Sequence, residues 1–274
     1  MSNRVKILNI SIDAVTSEEV LAKLAGFVED DNKHIISTVN TEFIINAQKD
    51  EKFREVLNEK SSLNLADSFG VIWASWFENL PKPKSILGKI TICFTWLFSL
   101  ISIPLWPNLY KKVVPEKISG SDFIWTLSKF AAKNHLKAFL FGGGTTIAER
   151  TALKLQADID GFRVVGVAEG HPLPDTAEII AAIKKTNADI LYLAIGSPTQ
   201  EKWLAENLEK TGCKIGIGLG GTFDFISGTK KRAPLWMQKS GLEWFYRLTQ
   251  EPSRIKRQLA LPNLAWQILI KKLY

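Results

Sequence analysis

Lys137-Ala-Phe-Leu-Phe-Gly142-Gly143-Gly144-Thr145-Thr146 reads as a strand that runs into glycines and then opens a helix. An unbroken apolar run before the glycines needs helices on both faces of the strand, which is the setting of a parallel sheet. Glycines let the backbone approach a ligand closely, and a helix N-terminus offers free N–H groups and partial positive charge to a diphosphate. The three glycines are adjacent rather than spaced, so this is not a dinucleotide fingerprint, and a plain strand-to-helix turn accounts for the same residues.

Working outward, the same alternation repeats. Strands are expected near Val5–Ile10, Ile35–Val39, Leu63–Ala66, Lys137–Phe141, Phe162–Val167, Ile190–Ile195 and Lys214–Leu219. Helical patterns lie near Ser17–Val28, Phe43–Asn58, Phe69–Trp76, Ser121–Asn134, Thr145–Ala157, Asp175–Thr186 and Gln200–Lys210. This order predicts an α/β, Rossmann-like fold with a mostly parallel sheet and helices on both faces, and it sends functional residues to the C-terminal ends of strands.

Three further strand ends carry polar side chains. Gly196-Ser197-Pro198-Thr199-Gln200 ends one strand, and its spacing of Ser197, Pro198 and Gln200 predicts a capping box, with Gln200 free to cap and to bind sugar. Thr38-Val39-Asn40 and Ala66-Asp67-Ser68 end two others. A carboxylate at such a mouth can act as general base on a sugar hydroxyl, and an Asp after a strand also serves as a helix cap, so both readings of Asp67 stand. The three histidines, His34, His135 and His171, have no ligand spacing, and Asp158-Ile159-Asp160 precedes a strand, at the wrong end of a parallel sheet for a metal site. No metal and no cofactor is expected.

The net charge of +7 over 274 residues is unevenly placed. Thr229 to Tyr274 holds ten Lys or Arg against two acids, so this tail carries +8 and the first 228 residues −1. A near-neutral body with a basic arm suits an anionic membrane surface better than nucleic acid, and no nucleic-acid partner is expected. Two cysteines without CxxC spacing, and an N-terminus without signal-peptide features, predict a cytoplasmic protein. Ile90–Tyr110 has no charge, but Pro104 and Pro107 leave about 14 residues of clean apolar helix, too short for a bilayer core of about 30 Å. If it spanned, the strands before and after it would lie on opposite sides of the membrane. The run therefore predicts a re-entrant or interfacial hairpin rather than a buried core hairpin or a true span. Ser253–Tyr274 mixes Ile255, Trp266 and Ile270 with Arg254, Lys256 and Lys271, as does a basic amphipathic helix lying on lipid or a terminal helix packed on the body. The expected division is a catalytic unit at 1–228, carrying an apolar insertion at about 86–112, and a basic helical appendage at 229–274. A homo-oligomer is left open.

With these motifs in view, the chain resembles the WecG/TagA/CpsF glycosyltransferase family. The resemblance rests on Thr38-Val-Asn40-Thr-Glu, Asp67, Pro115-Glu-Lys117-Ile-Ser-Gly120, Phe141-Gly142-Gly143, Gly196-Ser-Pro198-Thr-Gln200-Glu201 and Gly220-Gly221-Thr-Phe-Asp224-Phe. It continues through Lys231-Arg232-Ala-Pro234-Leu-Trp236-Met, Gly241-Leu-Glu243-Trp244-Phe-Tyr-Arg247 and Glu251-Pro252-Ser-Arg254. The resemblance implies metal-independent, inverting transfer of an N-acetylmannosamine-type sugar from a UDP-sugar to a prenyl-diphosphate-linked sugar at the cytoplasmic face of the cell membrane. Products in the family are teichoic acid linkage units and other surface polysaccharides. It implies Asp67 as catalytic base and Thr38, Asn40, Gln200 and Lys117 as substrate-binding residues. Gly142, Gly143, Gly144, Glu201, Gly221 and Asp224 join them, with Arg232, Arg247 and Arg254 closing on a diphosphate. Two departures are visible. Ser68 replaces the family's usual Gly, and Lys117 its usual Arg, which loses bidentate geometry. Both, with the apolar insertion just before Lys117, leave room for a membrane-associated nucleotide-sugar-binding protein without catalysis.

Overall fold

The glycine-ended run becomes the penultimate strand of a six-stranded sheet in a computed structural model that describes residues 3–274. The chain opens with an antiparallel hairpin, β1 (Arg4–Ile7) and β2 (Ile10–Asp13), where one strand was expected. Leu8 and Asn9 both take positive φ and reverse the chain, and Leu at the first of these positions gives no turn signal in the sequence. Helix α1 (Ser17–Glu29) begins at a capping box made by Thr16 and Glu19. After β3 (His34–Val39), the single helix expected over 43–58 is broken into α2 (Thr41–Lys49), α3 (Glu51–Glu55) and a π turn. Asp50 makes the break: its backbone is extended and its side chain caps α3 by accepting from the Phe53 N–H.

From β4 (Ser61–Ala66) the chain passes through α4 (Phe69–Glu78), α5 (Ile86–Ser102) and α6 (Gly120–Lys133) to β5 (Lys137–Gly142). Then come α7 (Ile147–Asp158), β6 (Arg163–Ala168), α8 (Thr176–Thr186), β7 (Ile190–Ala194), α9 (Thr199–Thr211) and β8 (Ile215–Gly218). Short helices α10 (Thr222–Ile226), α11 (Leu235–Lys239), α12 (Glu243–Gln250) and α13 (Ile255–Gln258) lead to α14 (Ala260–Leu273).

The sheet order is β4-β3-β8-β7-β5-β6, with every neighbouring pair parallel. Val39 lies opposite Ala66, Ser37 opposite Gly218, Gly218 opposite Leu193, and Ala194 opposite Gly142. This register lines up five carboxyl ends along one edge. Strand side chains alternate between two cores, one under α1, α6 and α7 and the other under α8 and α9. A third core joins the hairpin, α2, α4 and α14.

The hairpin guards the sheet edge at β4. Asp13, fully buried, accepts from Arg4 Nε at 3.2 Å and from the Asn64 N–H at 2.8 Å, while Arg4 Nη2 donates to the carbonyls of Ser61 and Ser62. Pairing the buried carboxylate this way offsets its desolvation.

The uncharged run is one helix, α5, ended by Pro104 and a short 3-10 turn from Pro107 to Tyr110. Ser99 accepts from the Trp73 indole N–H at 2.9 Å, and the Trp96 indole N–H donates to the Ala265 carbonyl at 2.9 Å. The opposite face is bare: Phe94, Phe98 and Ile101 are each about two-thirds exposed. Among the described residues no helix is long and apolar enough to cross a membrane. The C-terminal stretch packs on the body. Leu264, Ile268 and Leu269 of α14 enter the third core, and Lys272 Nζ donates to the carbonyls of Glu78 and Leu80. Trp266, Ile270 and Tyr274 stay exposed on its outer side.

Replacing Asp13 by Ala strands the Asn64 N–H and unpairs Arg4. The expected loss is about 3 kcal/mol of unfolding free energy, read from urea denaturation, and a loss near zero would remove the clasp from the account of the fold.

Candidate active site

Asp67 stands one residue past β4. Its N–H donates to the Val39 carbonyl at 2.9 Å, extending the parallel ladder, and its Oδ1 accepts from the Gly120 N–H at 3.3 Å. The segment carrying Lys117 is held alongside, because the Ile118 N–H donates to the Ala66 carbonyl at 2.9 Å. Thr38 donates from Oγ1 to the Gly218 carbonyl. Asn40 caps α2, its Oδ1 accepting from the N–H groups of Glu42 and Phe43, which leaves its amide nitrogen without a hydrogen-bond partner among the described residues. Ser68 caps α4 through Oγ, and its extended backbone (φ −153°) suits any residue, so the missing glycine leaves Asp67 undisturbed.

The capping box expected at Ser197 and Gln200 does not form. Pro198 holds the cap position without a side-chain bond, and Gln200 turns inward, where its Oε1 accepts from the Gly220 N–H at 3.0 Å and its Nε2 donates to Glu201 Oε1 at 2.6 Å. Gly218 makes the space: a Cβ there would come within 2.6 Å of both side chains. Glu201 is fully buried, and loss of water pushes its carboxyl up to about 7.

Two cavities open at this edge, of about 620 Å³ and about 420 Å³. The larger is lined by the ends of β3, β4, β5, β7 and β8 and by residues of α10 and α12. The smaller runs from Asp67 and Lys117 outward between the end of α5 and the start of α14. Asn40, Glu42, Asp67, Arg247, Arg254 and Arg257 line both. Asp67 therefore forms part of the wall between two chambers.

Enclosure by these walls pushes the Asp67 carboxyl up to about 7, against the pull of Arg247, Lys117 and the Gly120 N–H; Glu243 adds to the rise. Most cations here are already paired: Arg247 with Glu243, Arg254 with Glu251, Arg257 with Glu42, and Lys230 with Asp224 and Glu251. Among the described residues Lys117 makes no ion pair; its Nζ lies 5.4 Å from the Phe69 ring centroid. No three His, Cys, Asp or Glu side chains among the described residues are grouped to hold a metal ion.

The sequence-expected residues divide. Thr38, Asn40, Asp67, Gly143, Gly144 and Gln200 line the larger cavity, as do Gly221, Asp224, Arg247 and Arg254. Lys117 lines the smaller one beside Asp67, so the insertion has not displaced it. Gly142, Glu201 and Arg232 line neither. Gly142 is needed by the sheet, since a Cβ would meet the Ala194 carbonyl oxygen at 2.4 Å. Arg232 is clamped bidentately on Asp122. Helix α7 starts at Ile147, and the Thr146 N–H before it is taken by Glu169. The sequence reading missed His171, Ser197, Tyr246, Glu42 and Arg257. Glu42 and Ser197 lay inside quoted motifs, Arg257 in the basic tail; His171 and Tyr246 arrive on loops and short helices that no periodicity marks.

The Glycosyl transferase WecG/TagA/CpsF family model matches residues 5–92 and 101–274. An N-acetylglucosaminyldiphosphoundecaprenol N-acetyl-beta-D-mannosaminyltransferase of Bacillus subtilis is 29% identical over 258 residues, covering 91% of this chain and 88% of that protein. A protein of the same name from Bacillus spizizenii is 28% identical over 169 residues, covering 62% of this chain and 65% of that protein.

A carboxyl raised this far weakens the fold where it must ionise. Asp67 binds its proton more tightly folded than unfolded, so its penalty is absent below pH about 4, grows toward pH 7 and is constant above. Asp67→Asn is expected to raise Tm at pH 8 and to leave it unchanged near pH 3.5; an equal shift at both pH values would deny the raised pKa.

Proposed function

The chain belongs to the glycosyl transferase WecG/TagA/CpsF family, and from that premise we propose that it moves an N-acetylmannosamine-type sugar from a UDP-sugar to a prenyl-diphosphate-linked sugar. The observation that carries this reading is the position of Asp67 in the wall shared by two cavities of different chemistry. The larger, polar one suits a nucleotide sugar; the smaller, partly apolar one suits a lipid-linked acceptor. The names of the two Bacillus relatives support the choice of sugar and of acceptor.

In this mechanism Asp67 takes the proton from the acceptor hydroxyl as that oxygen attacks the anomeric carbon from the face opposite the leaving UDP, which inverts the centre. Negative charge growing on the diphosphate is met by Arg247, Arg254 and Lys230, which shift from their carboxylate partners, and by the backbone N–H groups of Gly144 and Gly221 in the two glycine turns. Residues 229–274 act as a basic arm over the site. Gln200, fixed by Glu201 and Gly220, presents its amide to the donor. Catalysis by Asp67 is favoured over the loss-of-function reading because Ser68 and Lys117 leave that carboxylate in a cationic pocket.

UDP release is measured with UDP-N-acetylmannosamine and a short-chain prenyl-diphosphate-linked N-acetylglucosamine. Asp67→Asn is expected to lower kcat by about 10²–10⁴, and wild-type kcat/KM to fall about tenfold per pH unit below pH about 7. Equal rates for wild type and variant would overturn the assignment of Asp67.

The enzyme is further proposed to rest on the cytoplasmic face of the membrane through the bare side of α5 and the outer side of α14. An exposed apolar surface of this extent, flanked by Lys84, Lys89, Lys111 and Lys112, supports contact with anionic lipid. A Phe94→Ser, Phe98→Ser, Trp266→Ser variant keeps the buried sides of both helices. Its sedimentation with phosphatidylglycerol vesicles is expected to drop about tenfold or more, and undiminished sedimentation would reject the contact.

A further inference from the structure

The smaller cavity has two chemical ends. At its inner end stand Lys117, Arg254 and Arg257 beside Asp67; at its outer end Leu100, Ile103 and Pro104 of the α5 terminus face Leu261 and Pro262 of α14. An occupant that satisfies both ends is a single amphiphile with a multiply charged anionic head and an apolar tail. A nucleotide has no apolar tail to fill the outer part, and a neutral lipid leaves Lys117, which makes no ion pair among the described residues, unanswered.

We infer that the α5–α14 groove binds the isoprenoid units adjoining the diphosphate of the acceptor, with the diphosphate on Lys117, Arg254 and Arg257. This rests on the acceptor reading proposed above. Three observations favour this occupant. The groove is continuous with the wall that holds Asp67, so a tail lying in it brings its head group to the base. The two helices that flank it are fastened to each other, because the Trp96 indole N–H of α5 donates to the Ala265 carbonyl of α14. Residues adjoining its apolar lining in sequence, Ile101, Leu105 and Trp266, are exposed, so apolar surface is at hand for the part of the tail that the groove does not cover. Leu100 belongs to the eight residues, 93–100, that the family model passes over. Ile103 and Pro104, the other lining residues on this side, lie in the matched part.

The test is direct binding, without turnover. Displacement of a dansyl-labelled farnesyl diphosphate is followed with farnesyl diphosphate, isopentenyl diphosphate, inorganic pyrophosphate and dihexanoyl phosphatidylglycerol. Wild type is expected to bind farnesyl diphosphate about tenfold or more tighter than isopentenyl diphosphate or pyrophosphate, since the longer tail buries more apolar area. Leu100→Gln and Ile103→Trp, the second filling the groove, are expected to erase that preference while leaving UDP affinity, the control for folding and for the larger cavity, unchanged. A farnesyl preference that is absent, or that survives both substitutions, overturns the inference. Phosphatidylglycerol competing as well as farnesyl diphosphate also overturns it, in favour of general lipid adhesion. Failure of the transfer reaction itself is distinguishable: wild type then releases no UDP, whatever the tail preference.

Discussion

A carboxylate that takes a proton near neutral pH has to be kept from water without being silenced by cations, and the architecture around Asp67 answers to that constraint. The ladder bond to Val39 holds it at the end of β4, and Gly120 supplies one N–H donor. Arg247 and Lys117 pull its pKa down while enclosure pushes it up, and the balance falls at about 7. Stronger cations at closer range would leave a weak base; a drier pocket would leave a neutral acid. The acids that pair with Arg247, Arg254 and Arg257 belong to the same balance, because they moderate the positive field around it.

That balance depends on parts far from the chemistry. The hairpin clasp through Arg4, Asp13 and Asn64 closes the open edge of β4. Without it the strand that carries Asp67 would present unpaired backbone to solvent. On the other side, Ser68 caps α4, and α5 and α14 are both fastened to that helix and its C-terminal turn, by Trp73 to Ser99 and by Lys272 to the carbonyls of Glu78 and Leu80. Apolar surface gathered by these two helices therefore lies at a defined place relative to Asp67. A glycosyl transferase working on a lipid-borne sugar needs that relation, since its acceptor arrives from one direction only.

Much of the fold was legible because buried parallel strands leave a strong trace. Runs such as Leu191-Tyr192-Leu193 and Phe139-Leu140-Phe141 are apolar on both faces, and the helices between them keep their periodicity. The hairpin and the break at Asp50 were not legible, because each turns on one or two backbone angles that Leu8 and Asp50 do not announce. At the site, strand-end residues were found through their positions. Gln200 was found with the wrong local partner, since its inward turn depends on the room left by Gly218 on another strand.

By itself the sequence determined the α/β class, the family and the strand-end residues Thr38, Asn40, Asp67 and Gln200. Hydrophobic periodicity and ordered motifs are local properties, written along the chain. Tertiary structure alone decided that Asp67 borders two cavities, that Lys117 shares one of them, that Arg232 is occupied by Asp122, and that α5 and α14 form facing walls. Those relations join residues up to about 200 positions apart, through strand register and the packing of helices on a common core, which no local pattern encodes.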